Sequence, residues 1–241
     1  MLNNRTVLYK GSSAYGAYEI VDEIYNDRPA RVLYGDGYTP QSGTALDEEP
    51  ELLFSYNQRF LEITMSHQPQ NLLVIGGGGF MLPTAAYHRF PGIHIDVVEI
   101  DELLVELAKE YFDLPTSDRL AVQIGDGAAF VAATNKQYDM IILDAFSGNT
   151  IPEHLISSEG VKNYQQHLTQ EGVIAVNFIS EYAPGAPSLA NQLLKTFGEV
   201  FQNVSMYQAD LDYPEADNQN FILVAGNKAH SFDYLQSTEV V

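Results

Sequence analysis

The chain has no cysteine, few basic residues and no long apolar run. The absence of cysteine excludes disulfides, thiolate nucleophiles and zinc sites that use cysteine. Only 12 Lys and Arg stand against 32 Asp and Glu, a formal net charge of -20. Such a charge repels phosphate backbones and attracts small cations, so we expect no nucleic acid partner.

No window approaches the roughly 18 apolar residues of a membrane span, and residues 1–16 lack a hydrophobic signal core. We therefore expect a cytoplasmic protein without a membrane partner. The six histidines show no ligand spacing such as HExxH, and we expect no metal. With 241 residues of which 45% are hydrophobic, the chain can bury a substantial core.

The first part of the chain, residues 1–52, has the pattern of a small β-rich cap. Runs such as AYEIVDEI and ARVLYG alternate apolar and polar residues, and YNDRP and GDGYTP are typical of turns, which predicts antiparallel hairpins. The segment LLFSYNQRFLEITM then has helical spacing of its apolar residues. It begins a second domain, residues 53–241.

From Asn71 onward, apolar runs alternate with amphipathic stretches, which predicts βα units in an open, mostly parallel sheet. The predicted strands are 72–76, 94–100, 120–125, 139–146 and 172–179. The predicted helices are MLPTAAYHRF, ELLVELAKEYF, AAFVAATN, SEGVKNYQQHL and SLANQLLKTFGEVF. NVSMYQA and FILVAG would close a seven-stranded sheet as an antiparallel hairpin.

Ligands of such sheets bind beyond the carboxyl ends of the strands, so the residues that follow each strand are candidates for a site. The first strand is followed by Gly76–Gly79, which permits close approach to a ligand or simply makes a tight turn. The second ends at Glu99, about twenty residues on, where an acid can bind ribose hydroxyls. Asp101 is the better candidate for an N-cap of the next helix.

Two further strands end at acids. In Gly125-Asp126-Gly127, Asp126 can bind an adenine amine or cap the following helix. Asp144 follows the fourth strand, where it can act as general base, as counter-charge to a cation, or as a loop cap. Together the four strand ends predict one nucleotide site.

The motifs VIGGGGF, VVEID, GDGAAF and YDMIILDAFSGNTIPEHL resemble those of the spermidine synthase family of aminopropyltransferases, which has the class-I methyltransferase-like, Rossmann-like fold. LYGDGYTPQSG and LLFSYNQRF extend the resemblance into the cap. The resemblance implies transfer of an aminopropyl group from decarboxylated S-adenosylmethionine to a di- or polyamine. It also implies a homodimer.

By the same resemblance, Gly76, Gly77 and Gly78 would cradle the sulfonium nucleoside, Glu99 would hold its ribose, and Asp126, with Gly127 beside it, would bind adenine. From the first part of the chain, Gln41 would reach the nucleotide and Tyr56 would line the amine pocket. Asp144 would accept the proton of the attacking amine, which is protonated in water.

The chain departs from the family pattern at three places. Gly79 stands where the family has an aspartate that pairs with the amino end of the decarboxylated donor. Ser147 replaces a second acid of the aspartate loop, and nearby Asn149 is an amide. Asn57-Gln58-Arg59 stands where a glutamate follows the pocket tyrosine. Each lost charge-assisted contact removes on the order of 1.5 to 3 kcal/mol.

These departures leave three hypotheses. The first is an aminopropyltransferase of polyamine biosynthesis that takes a small cationic amine. The second is an S-adenosylmethionine-dependent methyltransferase on the same fold, which Gly79 makes plausible. The third is a non-catalytic nucleoside-binding homologue, which the lost acids favour and the retained Asp144 and Tyr56 oppose.

Overall fold

The computed structural model describes residues 5–36, 39–47, 52–146, 150–210 and 218–230. Within these ranges the first part of the chain forms a four-stranded antiparallel sheet in the order β1-β2-β3-β4. Its strands are β1 (Thr6–Ser12), β2 (Ala17–Tyr25), β3 (Arg28–Gly35) and β4 (Thr39–Ala45). The predicted β-rich cap is therefore present.

The rest of the described chain forms an α/β unit around a seven-stranded sheet. Its strands are β5 (Asn71–Ile75), β6 (His94–Glu99), β7 (Leu120–Ile124), β8 (Tyr138–Leu143), β9 (Leu168–Ser180), β10 (Asn203–Gln208) and β11 (Gln219–Gly226). Its helices are α1 (Ser55–His67), α2 (Met81–Arg89), α3 (Glu102–Tyr111), α4 (Gly127–Ala133), α5 (Glu153–Ile156), α6 (Ser158–His167) and α7 (Leu189–Gly198).

The strand order is β10-β11-β9-β8-β5-β6-β7. Strands β5 to β9 pair in parallel, whereas β11 is antiparallel to both of its neighbours. This confirms the predicted Rossmann-like sheet with a C-terminal antiparallel hairpin. The order reverses at β5, between β8 and β6, which is where a doubly wound sheet opens a cleft for a ligand.

Successive residues of the central strands pack on opposite faces of the sheet. Leu73 and Ile141 belong to one buried cluster, and Leu72 and Ile142 to the other. All four side chains are fully buried. Helices therefore cover both faces, which explains why these strands read as continuous apolar runs rather than as an alternating pattern.

The cap packs directly on the α/β unit through apolar contacts of Tyr18 and Leu33 with Met81 and Leu104. Asp101 adds a polar contact, because it accepts hydrogen bonds from Ser13 Oγ at 2.5 Å and from Tyr18 Oη at 2.8 Å. The predicted division into domains at residue 52 stays a proposal.

The sequence patterns missed three short elements. Strands β1 and β4 were not singled out, and the four-residue helix α5 was not predicted. The β2–β3 turn was predicted, and its central residues Asn26 and Asp27 have positive φ, as two-residue hairpin turns require. Across the described ranges, no helix combines the length and apolarity needed to cross a bilayer.

Candidate active site

A cleft of about 680 Å³ lies between the cap and the carboxyl ends of the parallel strands. Every site residue predicted from the sequence lines it: Gln41, Tyr56, Gly76, Gly77, Gly78, Glu99, Asp126, Gly127 and Asp144. The fold brings these residues together from the cap, from α1 and from four strand ends. Their individual roles toward a ligand stay proposals.

The glycine loop after β5 is shaped by close backbone approach. Gly76 has φ of 92°, and a Cβ built on it would lie 2.3 Å from the Asp144 carbonyl oxygen. Gly78 also has positive φ, at 51°, and a Cβ there would meet open space. A glycine is therefore needed at position 76 for close packing against the residue that follows β8, whereas Gly78 leaves room in the cleft.

Glu99 holds this loop from the neighbouring strand. Its Oε2 accepts hydrogen bonds from the backbone N–H of Gly77 at 2.7 Å and of Gly78 at 3.2 Å, and its Oε1 accepts from Asp101 N–H at 2.9 Å. Burial raises the pKa of Glu99, and the backbone N–H groups act in the opposite direction. Glu99 thus organises the loop as well as lining the cleft.

Asp126 performs the helix-capping role that the sequence left open. Its Oδ1 accepts from Ala129 N–H at 2.8 Å, and its Oδ2 lies 2.8 Å from His154 Nε2. Burial alone would raise the pKa of Asp126, but the hydrogen bonds from Ala129 and His154 lower it overall. Asp126 is therefore an anion at the edge of the cleft, and capping does not exclude a contact with adenine.

Asp144 follows β8 at the base of the cleft. Its Oδ1 accepts a hydrogen bond of 2.8 Å from Asn177 Nδ2. Burial raises the pKa of Asp144 to about 7, the hydrogen bond from Asn177 lowers it, and the charge of Glu99 raises it further. A carboxyl group that titrates near neutral pH suits a general base.

The cap closes the cleft from above. Tyr56 Oη donates a hydrogen bond of 2.8 Å to the Gln41 carbonyl oxygen. Burial, with the charge of Asp144, raises the pKa of Tyr56 well above its ordinary value, so it lines the cleft as a neutral phenol. The Gln41 side chain lies over Gly35, where a Cβ would be 2.0 Å from its Nε2.

Two of the departures from the family pattern have a structural account. A Cβ on Gly79 would lie 2.7 Å from Ser42 Oγ, so the buried Ser42 occupies the space that an acid at position 79 would need. Arg59 pairs with Glu62 at 2.8 Å and does not line the cleft. This cation therefore does not oppose the binding of a cationic amine in the cleft. Ser147 and Asn149 lie outside the described residues.

Sequence reasoning did not single out three residues of the site. Asn177 lies beside Asp144, Asn220 lies beside Asn177, and His154 pairs with Asp126. Asp210, an acid at the start of the segment DLDYPEADNQN, also lines the cleft. Asp210 Oδ2 accepts a hydrogen bond of 3.2 Å from Ser55 Oγ. A signal existed for Asn177 alone, because it is a single polar residue inside the apolar run GVIAVNFI.

The charge of the cleft is predominantly negative. Six of the described residues that line it are acids, and none is Lys or Arg: Asp36, Glu99, Asp101, Asp126, Asp144 and Asp210. The potential in the cleft therefore favours ligands of net positive charge. In the described ranges, no group of three or more His, Asp or Glu side chains is arranged to hold a metal ion.

The fold and the cleft define an α/β protein of the class-I methyltransferase-like fold. A family model described as the spermine/spermidine synthase domain matches residues 54–233. The chain therefore belongs to the spermine/spermidine synthase family.

Two relatives agree with this assignment, and a solved structure shares the fold. A polyamine aminopropyltransferase of Vibrio vulnificus is 33% identical over 137 residues, 55% of this chain and 46% of the relative. A probable polyamine aminopropyl transferase of Bifidobacterium longum is 30% identical over 206 residues, 84% of this chain and 44% of the relative. This chain thus spans about half the length of these relatives. The structure of a probable spermidine synthase from Corynebacterium glutamicum has a TM-score of 0.80 at 22% identity and covers 94% of this chain and 82% of that one.

Proposed function

We propose that this chain is an aminopropyltransferase that binds decarboxylated S-adenosylmethionine and transfers its aminopropyl group to a di- or polyamine. The observation that carries the proposal is the acidic cleft, which has six acids and no Lys or Arg among its described lining residues. Both substrates are cations. The decarboxylated donor lacks the carboxylate that such a cleft would repel.

The residues present fit a sulfonium nucleoside. Gly78 leaves open space above the loop, Glu99 and Asp126 present carboxylate acceptors, and the apolar side chains of Ile100 and Leu155 also line the cleft. When bound, the donor supplies a carbon made electrophilic by the adjacent positive sulfur. A pocket that combines apolar lining with a few polar acceptors is typical of small-molecule sites.

Asp144 would act on the acceptor amine. An alkylammonium ion has no free electron pair and cannot attack until it loses a proton. With a pKa of about 7, the Asp144 carboxylate is substantially ionised at neutral pH and can accept that proton. Asp144 would also hold the amine by charge while Tyr56 lines its pocket, and so orient it toward the donor carbon.

The direct test is formation of methylthioadenosine from the decarboxylated donor with putrescine, cadaverine or spermidine as acceptor. We expect product with at least one of these amines. We also expect the donor to stabilise the free protein by about 2.7 kcal/mol at a hundredfold its Kd. Stabilisation by S-adenosylmethionine but not by the decarboxylated donor would contradict the proposal, and binding without turnover would favour a non-catalytic homologue.

The second candidate is a methyltransferase that uses S-adenosylmethionine. Gly79 favours it, because no acid at this position repels the carboxylate of the ordinary donor. Ser42 fills the place of that acid with a neutral hydroxyl group. The lining of the cleft opposes this candidate, because its described residues include no Lys or Arg to pair with a donor carboxylate.

The contact between Ser42 and Gly79 yields a prediction about donor choice. Gly79→Asp alone should destabilise the protein by about 1–3 kcal/mol, because its Cβ would overlap Ser42. Combining it with Ser42→Gly should restore most of that stability. The double variant should prefer the decarboxylated donor over S-adenosylmethionine about tenfold more than wild type does, because the carboxylates repel.

The matched control is Gly79→Asn with Ser42→Gly, which has the same shape without the charge. Donor affinities measured by calorimetry separate charge from shape. Equal donor preference in the Asp and Asn double variants would show that position 79 does not face the donor end.

We further propose a homodimer in the cytoplasm, with neither nucleic acid nor membrane as a partner. The dimer follows from the family resemblance. The exclusion of nucleic acid is supported by the net charge of -20.

A further inference from the structure

A row of three polar side chains crosses the neighbouring strands β8, β9 and β11. It consists of Asp144, which follows β8, Asn177 of β9 and Asn220 of β11. Asn177 Nδ2 donates to Asp144 Oδ1 at 2.8 Å, and Asn220 Nδ2 donates to Asn177 Oδ1 at 2.9 Å. We propose that Asn220 fixes the orientation of the Asn177 carboxamide, and that Asn177 is thereby a positioning residue that presents its NH2 group as a hydrogen-bond donor to the Asp144 carboxylate. The role of Asp144 as a general base rests on the proposed function.

The sheet register creates this row. Leu143 of β8 lies opposite Val176 of β9, so the next residues, Asp144 and Asn177, are neighbours. On the antiparallel side Asn177 lies opposite Ile222, and Asn220 is two residues away on the same strand. Residues diagonal by two positions share a face of the sheet and are within reach of each other.

An amide side chain has one donor end and one acceptor end, and the two ends cannot face the same way. Because Asn220 donates to the Asn177 oxygen, the Asn177 NH2 group must face Asp144. A donor stabilises the ionised carboxylate, whereas a rotated amide would present its oxygen and stabilise the protonated acid. Asn177 is only 1% exposed, so bulk water has little access to replace its hydrogen bond.

The other titratable neighbours of Asp144 do not supply this effect. Glu99, at the end of β6, raises the pKa of Asp144 through its charge. Tyr56, from α1, is kept neutral by burial and by the charge of Asp144. Burial also favours the neutral acid, so Asn177 opposes both burial and Glu99. Burial has the largest effect on Asp144, and the orientation of the Asn177 amide sets how far that effect is opposed.

The test measures the titration of Asp144 in the free protein by carboxyl ¹³C NMR, with the signal assigned by its loss in Asp144→Asn. Asn177→Leu should raise the midpoint by about one unit or more, since it removes the donor. Asn220→Leu should raise it by a smaller amount, because Asn177 can then rotate. Asn220→Gln retains a donor and should return the midpoint toward the wild-type value.

The control is Asn203→Leu, the same substitution at the other end of the β10–β11 hairpin. It should leave the Asp144 midpoint unchanged. If Asn177→Leu does not fold, the Asp144 midpoints of Asn220→Leu and Asn220→Gln still test the proposal, because Asn220 is partly exposed and its substitution is easier to accommodate. A midpoint in Asn220→Leu within about 0.2 units of wild type would overturn the proposal.

This experiment needs no substrate, so it separates the positioning role from the proposed function. If wild type transfers no aminopropyl group but the midpoints move as stated, the positioning role stands and the aminopropyl proposal fails. With an active enzyme, the acid limb of the kcat/KM profile should move with the NMR midpoint. If the acid limb of the kcat/KM profile does not move in these variants, Asn177 and Asn220 do not affect the reaction, and their positioning role in it is overturned.

Discussion

Replacement of Asp144 by Asn is expected to lower turnover by roughly 100-fold or more and to leave donor binding nearly intact. The substitution keeps the size of the side chain and its acceptor for Asn177 Nδ2, which donates to Asp144 Oδ1 at 2.8 Å. It removes the group that can take the proton of the amine. Methylthioadenosine formation measures turnover, and calorimetry with the donor measures binding.

The pH dependence provides a second readout for Asp144. Since burial raises its pKa to about 7 and the carboxylate is the active form, wild-type kcat/KM should rise with pH through about 7. The residual activity of the Asn variant should lack this limb. Asp118→Asn is a suitable control, because Asp118 is exposed and precedes the amino end of β7, at the edge of the sheet opposite the cleft. An unchanged turnover in Asp144→Asn would remove Asp144 from the mechanism.

The raised pKa of Asp144 also makes the stability of the protein depend on pH, and this dependence can be measured without substrate. The folded-state pKa of Asp144 lies above its ordinary value, so the folded protein binds more protons than the unfolded chain between about pH 4 and pH 7. This group's contribution to stability therefore falls as pH rises through that window. Relative to wild type, Asp144→Asn should gain melting temperature at pH 8 and gain little at pH 4.

The sequence predicts the parallel strands well, and the reason is physical. A strand covered by helices on both faces needs apolar residues at every position, so Leu72, Leu73, Ile141 and Ile142 stand out without knowledge of the fold. The ends of such runs are also visible. Because parallel strands end at a common edge, Glu99 and Asp144 could be placed in one site before their contacts were known.

Contacts that depend on register or on packing between distant segments were not predictable in this way. The sequence of β4, TPQSGTA, has no alternation of apolar and polar residues that would predict a strand. Its position in the sheet comes from pairing with β3, which no local pattern shows. The approach of Ser42 to Gly79 joins the cap to the glycine loop. The bond of Asn177 to Asp144 needs the β8–β9 register, which no local pattern encodes.

Substitution of Glu99 by Gln is expected to weaken donor binding by about 100-fold or more and to lower the free energy of unfolding by about 1–3 kcal/mol. The Glu99 carboxylate accepts from the backbone N–H groups of Gly77 and Gly78 through one oxygen and of Asp101 through the other. A glutamine has a single acceptor oxygen, so its NH2 group must face one of these donors. Either the glycine loop or the start of α3 then loses its partner inside a buried site.

Two measurements distinguish this role from a general loss of charge. Calorimetry with the decarboxylated donor should show the loss of affinity in Glu99→Gln and not in Glu102→Gln, the exposed acid that begins α3. Carboxyl NMR should show the pKa of Asp144 falling, because the charge of Glu99 raises it in wild type. Wild-type donor affinity in Glu99→Gln would mean that the glycine loop keeps its shape without the carboxylate, and that neither the loop nor the ribose depends on Glu99.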